Sequence, residues 1–180
     1  MKQLLKAVII VLSIAYPFAV YWGLQYYDAY RLLPLLLILL ALRWVAGGRA
    51  SERMVLVAIL ISVVIIAFTW GHQLSLKFYP AMVNLGFLIL FAGSLVFPPS
   101  MVERLARIKE PNLSPEGVAY TLKVTWMWSC FFLINGSIAA ITAVWAPNKV
   151  WMLYNGFIAY LLIGILFAGE WIVRRRVIHH

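Results

Sequence analysis

The sequence predicts an all-α, polytopic membrane protein with six transmembrane helices, both termini cytoplasmic, and a short amphipathic interfacial helix in the loop between helices 4 and 5. Three observations predict it. The 180 residues are 64% hydrophobic and 12% charged, too apolar to cover a soluble surface. The apolar residues fall into six runs, each near the ~20 residues that cross a ~30 Å hydrocarbon core. The basic residues then sort by side: Lys2, Lys6, Arg43, Arg49, Arg53, Arg104, Arg107, Lys109, Lys123 and Arg174 to Arg176 fall together, against Arg31, Lys77 and Lys149 opposite. By the positive-inside rule the richer side is cytoplasmic. Spanning segments and short loops use nearly all the length, so residues 1–180 read as a single transmembrane helical domain.

The first run, Leu4 to Tyr26, follows Lys2 and Lys6 as a secretory signal would. It is too long for a signal segment and no small-residue cleavage pattern follows, so it reads as a spanning helix. The second, Leu32 to Ala46, is the shortest and reaches the interface by the snorkelling of Arg43, head in water and stem along lipid. Omitting it would scatter the basic residues over both faces. The third runs from Met54 to Trp70. The fourth, Phe78 to Phe97, enters through Tyr79-Pro80 and stops at Pro98-Pro99. Trp22, Tyr26, Tyr27, Trp70, Tyr79, Trp145, Trp151 and Tyr154 mark an aromatic belt at the outer ends.

The largest loop follows. Met101, Val102, Leu105 and Ile108 recur at helical spacing, while Glu103, Arg104, Arg107 and Lys109 occupy other faces, which predicts a helix lying in the cytoplasmic interface. Glu110-Pro111-Asn112 breaks it. Ser114-Pro115-Glu116 restarts a helix as N-cap, proline at the first position and acidic first turn, so the fifth crossing, Val124 to Ala146, begins in the cytoplasm. The sixth is Val150 to Val173. The string Ile89 to Gly93 recurs at Ile165 to Gly169; either three similarly oriented hairpins or the general likeness of apolar helices gives this.

Polar side chains inside spanning helices cost free energy unless paired, which makes them the candidate functional residues. Asn84, Asn135, Asn155 and Glu170 stand out. Asn84 and Asn155 are expected one turn below the outer surface and Asn135 near mid-membrane. They either hydrogen-bond between helices, at ~1 kcal/mol each, or contact a ligand. Glu170 stands one turn before Arg174 and is expected to pair with it. His72, Lys77, Tyr79, Asn84, Tyr154 and Asn155 form the one ligand-binding patch the sequence offers, outer and aromatic; the alternative is belt anchors beside a solvated His72. Asn135-Gly136-Ser137 matches a glycosylation sequon but lies inside a helix. Arg104, Arg107, Lys109, Arg174, Arg175 and Arg176 form a cytoplasmic basic face suited to anionic lipid headgroups or to an acidic partner such as an acyl carrier protein.

The single cysteine, Cys130, excludes an intramolecular disulfide and a cysteine metal cage. The sequence supplies no metal set, no phosphate-cradling glycine loop, no cofactor motif, and no nucleophile with its base. This argues against an enzyme without excluding one. Membrane lipids and other membrane proteins are the expected partners, nucleic acid is not, and a bundle of this size works alone or as a homo-oligomer. His179 and His180 are either native or the remnant of a tag and are given no functional weight.

Lys77 and Pro80, Pro99 to Leu105, Leu113 with Pro115, Trp126 to Phe132 followed by Asn135, and Trp151 together resemble the intracellular septation protein A family of small bacterial inner-membrane proteins. Pro147-Asn148-Lys149 departs from the polar Ser-Thr-Asp that precedes that family's outer tryptophan. A longer likeness is to the small membrane proteins encoded in aryl-polyene pigment clusters of Gram-negative bacteria. It runs through Tyr16-Pro17, Tyr79-Pro80, Val83-Asn84, Val102 to Arg107, Glu110-Pro111, Phe131-Phe132, Asn135-Gly136, Leu153 to Gly156 and Gly169-Glu170. These resemblances imply a multi-pass inner-membrane accessory protein of aryl-polyene lipid synthesis or export, a scaffold or lipid handler. The alternatives are a general envelope or septation factor that organises a protein complex, and a small lipid transporter with a polar path through Asn84, Asn135 and Asn155. Neither resemblance carries over catalytic residues.

Overall fold

The structure, a computed structural model, describes residues 2–45 and 50–178, with side chains at residue 8 and over residues 11–44 and 53–174. The side chains of Lys2, Lys6, Arg49, Arg175 and Arg176, and all of His179 and His180, lie outside the described residues.

The described chain is helical, with no strand among the described residues: α1 Lys2–Tyr26, α2 Ala29–Val45, α3 Ala50–Thr69, α4 His72–Val96, α5 Met101–Ala106, α6 Pro115–Trp145, α7 Asn148–Leu153 and α8 Ala159–Ile178. A single π-helical turn, Tyr154–Ile158, joins α7 to α8, so the last three elements form one rod. Among the described residues, three stretches are long and apolar enough to cross a membrane: His72–Val96, Pro115–Trp145 and Asn148–Arg174. Arg53–Thr69 is a shorter apolar helix.

Helix starts precede the apolar runs read from the sequence. α2 begins at Ala29 instead of Leu32, α3 at Ala50 instead of Met54, and α4 at His72 instead of Phe78. Tyr79-Pro80 therefore does not mark the helix start: Pro80 lies inside α4, as Pro17 does inside α1 and Pro34 inside α2. Prolines end helices because they lack an amide and crowd the carbonyl four residues back, but an intramembrane helix tolerates them where neighbours satisfy that carbonyl. α6 behaves as expected, with Ser114 as N-cap accepting from the Gly117 amide at 3.2 Å and Pro115 in the first turn.

α4 is the centre of the packing, held against α6 along one side and α3 along another. Tyr16, Val20, Leu36, Leu39, Ile59, Val63, Leu76 and Tyr79 make the main apolar core, which Trp151 closes. A second cluster surrounds Trp128, whose ring meets Phe167 at 4.6 Å and Phe132 at 5.6 Å. Trp22, Tyr26, Tyr27, Trp70 and Trp145 are exposed, as belt residues would be. Trp151 (0% exposed) and Tyr79 (3%) are not: both are core residues.

The loop helix α5 is shorter than its apolar spacing predicts. It ends at Ala106, so Ile108 falls beyond it and is exposed, and Leu105 is exposed as well. Its start is fixed by side chains: Met101 N donates to Ser94 Oγ (2.7 Å), Val102 N to Thr125 Oγ1 (3.2 Å) and Glu103 N to Ser100 Oγ (3.3 Å). These are the amides a helix N-terminus leaves without internal acceptors. Glu103, expected on the polar face, is buried and pairs with Arg107 at 2.8 Å.

Candidate functional site

The site grows from the two Tyr-Pro pairs. Pro80 has no amide to offer the carbonyl of Leu76, and the Tyr16 hydroxyl donates to that carbonyl at 3.0 Å. Pro17 likewise leaves the carbonyl of Ser13, and the Tyr160 hydroxyl donates to it at 2.9 Å. One residue on from Leu76, the Lys77 carbonyl accepts from Trp151 Nε1 at 3.0 Å. Tyr16 and Tyr160 thus replace helical amides, and Trp151 adds a third aromatic donor from α7. They tie α1 to α4, α8 to α1 and α7 to α4.

Midway along α4 and about two-thirds of the way along α6 lies a polar trio. Asn135 Nδ2 donates to Asn84 Oδ1 at 3.0 Å, the Tyr154 hydroxyl donates to Asn135 Oδ1 at 2.8 Å, and Asn84 Nδ2 returns to its own helix at the Pro80 carbonyl, 2.9 Å. Because α4 starts at His72, Asn84 lies twelve residues, about 18 Å, from that end. The expected separation in depth between Asn84 and Asn135 is therefore absent; they share one level. Gly136 makes this possible, since a Cβ there would stand 2.9 Å from Asn84 Cβ.

Asn155, next to Tyr154, turns elsewhere. Its Nδ2 donates to Thr142 Oγ1 (3.2 Å) and to the Trp151 carbonyl (2.9 Å). Thr142 is seven residues from Asn135 along α6, about 10 Å, so Asn155 does not join the trio. The π-helical turn lets both consecutive side chains engage α6, and Gly156 within it accommodates the Phe18 ring, 2.9 Å from where a Cβ would be. Lys77 is buried, and its Nζ donates to the Ala146 carbonyl at 3.3 Å. His72 is exposed at the start of α4. The patch expected from the sequence thus divides into the trio, the Lys77–Trp151–Asn155 cluster, Tyr79 in the core, and His72 apart.

The basic face also changes character. Arg104 donates to the carbonyls of Pro99 (2.7 Å) and Phe97 (2.9 Å), and Arg107 to the carbonyl of Pro111 (2.9 Å) as well as to Glu103. Both guanidinium groups hold the loop's own backbone, while Lys109 and Arg174 are exposed. Glu170 does not pair with Arg174; its Oε1 accepts from the Tyr120 hydroxyl at 3.3 Å. Arg43 does not snorkel outward. Side chains of a helix lean toward its N-terminus, which for Arg43 in α2 is toward Ala29, and Arg43 Nη2 donates to Ser13 Oγ at 2.9 Å. Cys130 is exposed, and no group of three His, Cys, Asp or Glu side chains that could hold a metal occurs among the described residues.

Part of the chain matches a curated protein. Over 131 residues it is 29% identical to the inner membrane-spanning protein YciB of Serratia proteamaculans, covering 70% of this chain and 71% of that one. The relation is distant, and it agrees with apolar helices long enough to span a membrane. No family model matches the chain, and no solved structure matches it.

Tyr16 and Tyr160 were not among the candidates from the sequence. A signal for both existed: a proline inside a helix orphans the carbonyl four residues earlier, which names Ser13, Tyr30 and Leu76 as acceptors awaiting a donor. Which tyrosine reaches which carbonyl is a matter of tertiary packing.

Proposed function

We propose that the chain is a six-crossing bacterial inner-membrane protein, both termini cytoplasmic, that acts as a non-catalytic scaffold or lipid handler in the synthesis or export of an aryl-polyene type envelope lipid. The observation that carries the accessory role is the polar trio. Asn84, Asn135 and Tyr154 satisfy one another across three elements at half depth, as helix-fixing groups do. Similarity to an inner membrane-spanning protein supports the location. The order of motifs from Tyr16-Pro17 to Gly169-Glu170 supports the pathway.

The test compares a clean deletion with its parent strain for aryl-polyene lipid in separated inner and outer membranes. Loss of the lipid assigns the protein to synthesis, and trapping in the inner membrane assigns it to export. An unchanged amount and distribution sinks the pathway and moves the weight to a general envelope-organising role. The transporter reading is weakened by Asn155, which bonds to Thr142 and leaves the other two asparagines without a third step.

A further inference from the structure

Between α1 and α2 runs an apolar groove. Leu12, Tyr16 and Ala19 form one wall and Leu35, Ile38 and Leu39 the other. Its floor is buried at Tyr16 and Leu39, and its rim is exposed at Leu35 and Ile38. Leu39 and Arg43 are one turn apart on the same face of α2, and Tyr16 and Ser13 one turn apart on the same face of α1. The hydrogen bond from Arg43 Nη2 to Ser13 Oγ therefore closes one end of the groove with a cation. That end is polar beyond the pair itself. Arg43 Nε and the Tyr79 hydroxyl are both buried without a hydrogen-bond partner among the described residues, and Tyr79 is 97% buried. The Arg43 charge reaches both Tyr79 and Tyr160, and the Tyr79 ring meets Tyr16 at 4.7 Å. No carboxylate lies within 4.0 Å of Arg43 among the described residues.

A guanidinium carries five donors in a planar fork suited to phosphate oxygens. A half-buried one with a buried, unused Nε donor and no counter-ion among the described residues, at the head of an apolar groove open on one side, has the charge and shape of a site for an anionic amphiphile. We propose that this groove binds one anionic phospholipid, its phosphodiester on Arg43 and Tyr79 and its acyl chain along Tyr16, Ala19, Leu35 and Ile38. This rests on the lipid-handling reading and names its ligand class. No bond is made or broken: the interaction is charge-assisted hydrogen bonding and apolar burial.

The test uses the full-length protein, purified in a neutral detergent, and counts lipid adducts by native mass spectrometry with phosphatidylglycerol and with phosphatidylcholine. The expected result is retention of phosphatidylglycerol roughly tenfold or more over phosphatidylcholine. Arg43→Gln should abolish the preference, and Arg43→Lys should keep part of it as a point charge. Ile38→Trp, at the groove rim and away from the polar end, should lower adducts of both lipids, and it serves if Arg43→Gln does not fold. Equal binding of the two lipids by the parent protein overturns the proposal. So does an unchanged preference in folded Arg43→Gln, or a loss of dimer instead of lipid in Ile38→Trp, which would make the groove an interface between copies. The assay involves no pathway. A deletion strain with normal aryl-polyene lipid, alongside an Arg43-dependent adduct, would reject the pathway and leave the site standing.

Discussion

The Tyr16 hydroxyl donates at 3.0 Å to the carbonyl of Leu76, the acceptor that Pro80 leaves without its helical amide. The tyrosine keeps that carbonyl from standing unpaired in an apolar interior. Tyr160 does the same for the carbonyl that Pro17 leaves at Ser13. Two Tyr-Pro pairs therefore serve as joints whose donors come from other helices, and they make α1, α4 and α8 mutually dependent.

Tyr16→Phe should lower stability by about 1 kcal/mol in detergent, the usual scale of an interhelical hydrogen bond. Pro80→Ala restores an amide to Leu76, so in that background Tyr16→Phe should be milder. Thermal unfolding of the four proteins checks this. Equal losses in both backgrounds would mean that the hydroxyl serves some other acceptor.

Asn135→Leu and Asn84→Leu should be non-additive. Each single change strands the other amide, whereas the double change removes both, so the coupling should be roughly 0.5–1.5 kcal/mol. A double-mutant cycle on unfolding midpoints measures it, and simple additivity would contradict the 3.0 Å contact.

Gly136→Val should destabilise by about 1–3 kcal/mol, because its side chain would have to displace Asn84. Gly93→Ala provides the control. A Cβ at Gly93 meets nothing within 4 Å, and alanine favours the helix by up to ~1 kcal/mol. A comparable loss in both would show that the α4–α6 approach at Gly136 is looser than described.

Arg104→Gln should release the carbonyls of Phe97 and Pro99 and speed amide hydrogen exchange across residues 97–107 by roughly tenfold, the effect of ~1.4 kcal/mol. Limited trypsin digestion of the parent protein should cut after exposed Lys109 before Arg104 or Arg107. Early cleavage at Arg104 would show that its hydrogen bonds do not hold the loop.

Much of the secondary structure was legible because it depends on local chemistry. Ser114-Pro115-Glu116 sets the start of α6 through its own hydroxyl and ring, without help from elsewhere in the chain. The helix at Met101 was legible and its end was not, since the start is fixed by the local cap Ser100 together with Ser94 and Thr125, which are distant in sequence. Pro80 misled for the complementary reason. Read locally it is a helix boundary; in the bundle Tyr16 supplies the missing donor, and α4 extends back to His72. The candidate site suffered from the same shift. Moving the start of α4 carried Asn84 to the depth of Asn135 and away from His72.

The sequence by itself determined that this is an apolar, helical membrane protein, that its intramembrane asparagines need partners, and that its loop restarts a helix at Ser114. Hydropathy, capping and the cost of an unpaired polar group in an apolar medium act within one segment and are visible without a fold. The tertiary structure alone decided that Asn135 meets Asn84 and Tyr154, that Asn155 goes to Thr142, that Arg104 and Arg107 bind their own loop, and that Arg43 turns inward to Ser13. Each of these is a choice among several chemically equivalent donors and acceptors. Only the packing of helices remote in sequence, set by where Gly136 and Gly156 allow close approach, selects one.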